Sequence, residues 1–165
     1  PLLLKLYDLV RQKVQKLASS NQEAAIKRRE FLQEAAMQFL SVAEEAHNVI
    51  WHEGLLKKGL SLCHGVAGNA YSFAYLYYYT KNPKYLQKLI KFTQYILDAQ
   101  QRYNNSKARA NDESPVMKPD TPYSLFEGIA GTVTFLSNVK KILQRESQKQ
   151  NDQKLPSVNF VGFDV

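Results

Sequence analysis

From Val66 to Tyr79 the chain reads VAGNAYSFAYLYYY, and apolar or aromatic side chains would stand on every side of the helix this stretch forms. A helix that is apolar all round is expected to be buried all round. Just before it runs LCHGVAG, Leu62 to Gly68, and a second copy of that pattern, LFEGIAG, runs from Leu125 to Gly131, 63 residues later. Both copies have the form L-x-x-G-[VI]-A-G, and both lead into helical patterning. A repeat at a fixed offset, with one supersecondary unit per copy, implies stacked units that bury a shared core.

The surrounding patterning is also helical. Leu3, Leu6, Val10, Val14 and Leu17 fall at steps of three and four and predict a first amphipathic helix. Phe31, Ala35, Phe39, Val42, Ala46, Val49 and Ile50 predict a long second one ending near Trp51, with residues 21–29 readable as loop or as helix extension. Pro83, suited to a first helical turn, opens a helix through Gln101 with Leu86, Leu89, Ile90, Ile96 and Leu97 on one side. Residues 102–118 are polar and aperiodic and are expected to form a flexible loop. A last helix follows Gly128, with Ile129, Val133, Leu136, Val139 and Leu143 as its stripe, and residues 146–157 are expected to be a loose polar tail. Helices buried all round alternating with one-sided helices predict two layers. The expected fold is all-α, an α/α toroid whose inner helices are covered by outer partners. Two or three hairpins cannot close such a ring, and the chain opens with Pro1 instead of methionine, so residues 1–165 are expected to be part of a larger toroid domain.

Composition narrows the function classes. With 44 % hydrophobic and 22 % charged residues a packed core is expected. The net charge of +7 is spread along the chain with no basic block, which speaks for solvated helix faces and against a nucleic-acid partner. The longest apolar stretch, near Ala70–Tyr79, is far short of the ~20 residues a membrane span needs, so no transmembrane segment is expected. The single cysteine, Cys63, forbids an internal disulfide and favours a reducing compartment or a metal role.

The chemistry-bearing candidates cluster at the repeat. Cys63 and His64 are both zinc-ligand types, and the following glycine allows a turn tight enough to bring adjacent side chains toward one ion. The plainer reading is a buried cysteine beside a histidine bonded to backbone, since two ligands do not make a site. The paired glycines, Gly65/Gly68 and Gly128/Gly131, suit either an anion at a helix start or close packing; their presence in both copies favours packing. Lys57-Lys58 lies five residues before Cys63 and is either a point charge for a carboxylate or an ordinary solvated pair. Pro119-Asp120-Thr121-Pro122 reads as a turn, with Asp120 a candidate cap. His47 and His52 are expected to be structural or surface residues, and the Tyr71–Tyr79 aromatics to be core.

Two longer motifs carry a resemblance. W-x-x-G-L-L-K-K-G-x-x-L-C-H-G-x-A-G-N-A-Y, read from Trp51 to Tyr71, and P-D-T-P-[YF]-S-L-[FY]-E-G-x-A-G-T, read from Pro119 to Thr132, resemble the signatures of the eukaryotic LanC-like (lanthionine synthetase C-like) family. The ending Phe160…Phe163-Asp164-Val165 is similar to that family's aromatic-acidic tail. The resemblance covers roughly residues 51–165 and marks the chain as the C-terminal part of such a protein.

It implies an α/α toroid around a zinc ion held by two cysteines and a histidine, with Cys63 and His64 as two of those ligands and the third upstream of this chain. It further implies that Lys58, Pro119 and Asp120 contact glutathione. The family's catalytic histidine is also upstream, so no catalytic residue is assigned here. The implied activity is addition of a zinc-activated glutathione thiol to a dehydroamino acid, such as one left in a phosphoprotein by loss of phosphate. The implied setting is the cytoplasm, with peripheral association at the plasma membrane allowed. Two departures bear on the glutathione contacts: Met117-Lys118 stands where relatives often carry an arginine, and Ser61 replaces a glycine. Other readings are a non-catalytic zinc- and glutathione-binding adaptor and a bare toroid scaffold. A toroid glycosidase would need two catalytic acids, and Glu127 is the only acid within the repeat motif.

Overall fold

Periodicity of three and four makes helices, and helices are what the computed structural model of the chain contains. It describes residues 2–18, 23–107 and 119–148, and in them five α-helices and no strand: α1 (Leu2–Leu17), α2 (Glu23–Glu53), α3 (Val66–Thr80), α4 (Pro83–Lys107) and α5 (Ile129–Gln148). The fold is all-α, as a portion of an α/α toroid would be. No helix among the described residues is long and apolar enough to cross a membrane.

The described residues fall into two compact units, those within 2–54 and 72–87 and those within 55–71 and 88–148. In the first, α1 packs on α2 and buries Leu4 completely. The expected α2 stripe is rotated away from the core: Phe31, Val42, Ala46 and Val49 are exposed, while Ala36, Ala43 and His47 are buried. The buried His47 has its ring nitrogens against the carbonyl oxygens of Ala43 and, at 3.0 Å, Ser72, and a neutral ring donates its one N–H to one of them. Phe73 meets both His47 and Trp51 edge-on, at 6.0 and 6.1 Å between ring centroids. The Tyr85 hydroxyl donates to Glu44, whose carboxylate also lies 3.4 Å from Lys84 Nζ.

The turn between α3 and α4 shows how the chain ends one helix and begins the next. Lys81 adopts a left-handed conformation at φ 57° while its N–H donates to Tyr77 O. Asn82 then caps α4, its Oδ1 accepting the Lys84 N–H at 3.1 Å, and Pro83 occupies the first helical position.

The second unit holds the rest of the core. Along α4, Leu89, Phe92, Ile96 and Ala99 are buried at steps of three and four, whereas Leu97 is exposed. α4 continues to Lys107, so residues 102–107 of the expected loop are helical. Once a helix is nucleated, each further turn needs no apolar face of its own. Residues 108–118 lie outside the described residues. So do residues 149–157 of the expected tail, together with the aromatic-acidic ending, while residues 146–148 complete α5.

On α5 the buried face is Gly131, Thr132, Phe135, Asn138, Val139 and Ile142, and Ile129, Val133 and Leu143 of the expected stripe are exposed. The displaced face contains two polar residues and a glycine, which apolar periodicity does not register. Each polar group is satisfied. Thr132 Oγ1 donates to Leu60 O at 3.1 Å and Asn138 Nδ2 donates to the Tyr71 hydroxyl at 2.7 Å. Tyr71 also meets Phe135 edge-on, 5.1 Å between centroids. Burial pushes the Tyr71 phenol above its ordinary value, and the Asn138 hydrogen bond offsets part of that rise.

Candidate functional site

The two L-x-x-G-[VI]-A-G copies are equivalent in space as well as in sequence. In the first, the Val66 N–H closes the turn onto Gly59 O at 3.1 Å; in the second, Ile129 N–H closes onto Pro122 O at 2.8 Å, with both partners shifted by the same 63 positions. A Cβ on Gly68 would run into the carbonyl of Leu62, and one on Gly131 into the carbonyl of Leu125, again the same pair one repeat later. The glycines therefore serve close packing of turn against helix. The first N–H groups of α3 support that role: Val66, Ala67 and Gly68 donate to Gly59, Leu60 and Ser61, so they are not turned toward an anion.

The two turns clasp each other. The carbonyl oxygen of Phe126 accepts both Leu62 N–H at 3.1 Å and Cys63 N–H at 2.9 Å, which fixes the backbone that carries Cys63 and His64. A Cβ on Gly131 would also come within 2.9 Å of Leu62 Cγ. Local bonds set the second turn: Glu127 N–H donates to Ser124 Oγ at 3.1 Å, Thr121 Oγ1 lies 3.0 Å from Ser124 Oγ, and Thr121 Oγ1 donates to Glu127 Oε2 at 3.0 Å. In this turn Ser124 Oγ accepts a backbone N–H, while Asp120 is exposed.

The Cys63 thiol is free and exposed, which removes the reading of a buried, inert cysteine. His64 is half-buried. Its Nδ1 is wholly covered and has no hydrogen-bond partner among the described residues, and its Nε2 lies 3.7 Å from Glu127 Oε1. A buried nitrogen without a partner costs about 1–3 kcal/mol, which an ion or water can relieve. Lys58 is exposed in the turn before Gly59, and Pro119 is half-buried at the start of the second turn segment. Met117 and Lys118 lie outside the described residues.

A sulfur and an orphaned imidazole nitrogen on adjacent residues suit two positions of a tetrahedral zinc. They do not complete one. Among the described residues no group of three or more His, Cys, Asp or Glu is placed to hold a metal ion. Cys63 is the sole cysteine of the 165 residues, so a second thiolate would have to come from outside them. Motif reasoning gave Ser124 no role, and met Thr121 only as a turn residue and Glu127 only as the one acid of the repeat motif. The signal for Glu127 lay in the repeat itself, since it occupies the position of His64 in the second copy.

A family model described as lanthionine synthetase C-like protein matches residues 12–149. The chain is similar to a Danio rerio protein named glutathione S-transferase LANCL1, at 44 % identity over 102 residues, covering 62 % of this chain and 22 % of that one. It is also similar to LanC-like protein GCL1 of Arabidopsis thaliana, at 38 % identity over 96 residues, covering 58 % of this chain and 20 % of the relative. The matched stretch spans about a fifth of each relative's length.

Proposed function

The chain belongs to the lanthionine synthetase C-like family, and from that premise we propose that the protein binds glutathione and adds its thiol to electrophilic acceptors such as dehydroamino acids, with a zinc ion held in part by Cys63 and His64. The observation that carries the reading is the Cys63-His64 turn, with an exposed thiol beside a buried nitrogen that lacks a partner. The glutathione part is supported by a relative named as a glutathione S-transferase.

Zinc, when bound, supplies the positive charge that lets a neighbouring thiol lose its proton near neutral pH. The chain's own residues bind and orient. Cys63 and His64 donate two ligands from a turn pinned by Phe126 O. The exposed Lys58 ammonium offers a point charge to a glutathione carboxylate, and the exposed Asp120 carboxylate, set by Pro119 before it, offers one to the glutathione amine. The addition is balanced without a leaving group. A carbon–sulfur bond forms at the β-carbon, the double bond is consumed, and a proton ends on the α-carbon to match the one the thiol gives up. An exposed thiol that must stay reduced to ligate fits a cytoplasmic setting.

The test is metal analysis and glutathione addition to a dehydroalanine peptide, with wild type and Cys63→Ala compared in the full-length protein. Stoichiometric zinc and thioether product in wild type, both lost in the variant, are expected. A wild type that purifies without metal in the presence of zinc would sink the reading. Tight zinc and glutathione binding with no thioether would point instead to a non-catalytic adaptor.

A further inference from the structure

The second repeat copy carries no cysteine and no histidine, yet its turn is pressed against the one that does. We propose that Glu127 is a positioning residue for His64: its carboxylate receives the proton-bearing Nε2 and leaves Nδ1 as the lone-pair nitrogen that ligates. This rests on the zinc reading above.

Three observations converge on it. Glu127 stands in the place of His64 within its own copy, and the double acceptance by Phe126 O brings the two copies' turns together, so residues 64 and 127 face one another. The His64 Nε2 to Glu127 Oε1 separation is 3.7 Å, about 0.5 Å beyond the usual N–H···O range, a distance side-chain rotation can close. Glu127 is itself held, since Oε2 accepts the Thr121 hydroxyl at 3.0 Å and its backbone N–H donates to Ser124 Oγ.

The tautomer follows from burial. A proton on Nδ1 would be a covered donor with no acceptor, and the Nε2 lone pair would then face a carboxylate. Placing the proton on Nε2 gives that proton the carboxylate as its acceptor and leaves Nδ1 as a covered lone pair still without a donor, the position a metal ion would fill. A carboxylate that receives the second N–H of a ligating histidine fixes ring orientation and raises its basicity as a ligand. The contact has little value as a plain ion pair, because the two side chains keep 36 % and 39 % of their exposure and such pairs contribute at most about 1 kcal/mol. Its effect should therefore appear in metal affinity and leave stability almost unchanged.

The experiment measures zinc affinity by chelator competition in the full-length protein, with the unfolding midpoint and the imidazole nitrogen NMR signals of His64 read on the metal-free form. Glu127→Ala is expected to weaken zinc by about 10- to 100-fold, at an unchanged midpoint, and to lose the uniform Nε2–H signal. Glu127→Gln keeps an acceptor oxygen and should stay within about threefold of wild type. Affinity for zinc within twofold of wild type in Glu127→Ala overturns the proposal, as does an Nδ1–H tautomer in the metal-free wild type. Should Glu127→Ala fail to fold, Thr121→Val removes the donor that steadies Oε2 and is expected to weaken zinc several-fold, and parity there overturns the proposal. Failure of the zinc reading looks different: wild type and Cys63→Ala would both hold no zinc, while the tautomer measurement would still decide the Glu127–His64 contact.

Discussion

The backbone N–H of Cys63 donates to the carbonyl oxygen of Phe126 at 2.9 Å, and Phe126 holds in the second repeat copy the place that Cys63 holds in the first. The Cys63-His64 turn is thus built on its own sequence counterpart, and changes in the second copy should be felt in the first.

Gly131→Ala tests how tightly the copies are joined. In an exposed helix interior Gly→Ala stabilises by up to about 1 kcal/mol. Here the new methyl would meet the Leu125 carbonyl and lie 2.9 Å from Leu62 Cγ, so the expected sign is reversed. We expect a loss of roughly 1–3 kcal/mol in chemical denaturation. Equal or higher stability would contradict the packing described.

The Asn138–Tyr71 hydrogen bond joins α5 to α3 within one unit, and both groups are buried. A double-mutant cycle with Asn138→Ala and Tyr71→Phe should return a coupling of about 1 kcal/mol. Purely additive losses would mean that the two side chains do not interact.

Alkaline stability should report the same tyrosine. Its pKa is raised in the folded state, first by burial and despite the Asn138 bond. In the window above the unfolded value of 10.0 the folded chain holds a proton that the unfolded chain releases. Stability is then full below that pH and falls as pH rises toward the folded value. Tyr79 and Tyr85, also raised chiefly by burial, act in the same direction. The slope should be shallower in Tyr71→Phe, and an identical slope would remove Tyr71 as a contributor.

Helix positions were largely legible because periodicity of three and four is a property of each segment alone. The all-apolar run at Val66–Tyr79 became the buried α3, and Pro83 opened α4. The orientation of α2 and α5 was not, for one physical reason. Ala36, Ala43, Gly131, Thr132 and Asn138 are buried although they are small or polar. Thr132 and Asn138 are satisfied by Leu60 O and the Tyr71 hydroxyl, 72 and 67 residues away in sequence. At the site, Cys63 and His64 were visible as ligand types, but Glu127 acquires its place only through the contact between the two turns.

These 165 residues by themselves should bind zinc weakly. Cys63 is their sole cysteine, and the described residues bring no third donor to it. Zinc competition on the isolated segment is expected to give an affinity well below that of a complete three-ligand site, and tight one-to-one binding would show that the donors assemble differently.

The Phe126 clasp also imposes an order of events during synthesis. Its acceptor is made 63 residues after the cysteine it restrains, and such distant contacts form only after the intervening chain has closed on itself. A nascent polypeptide stalled ahead of Phe126 would carry the Cys63 turn without the carbonyl that restrains it, so the proposed ligand pair reaches its final placement late, at a stage a prematurely terminated product could not attain.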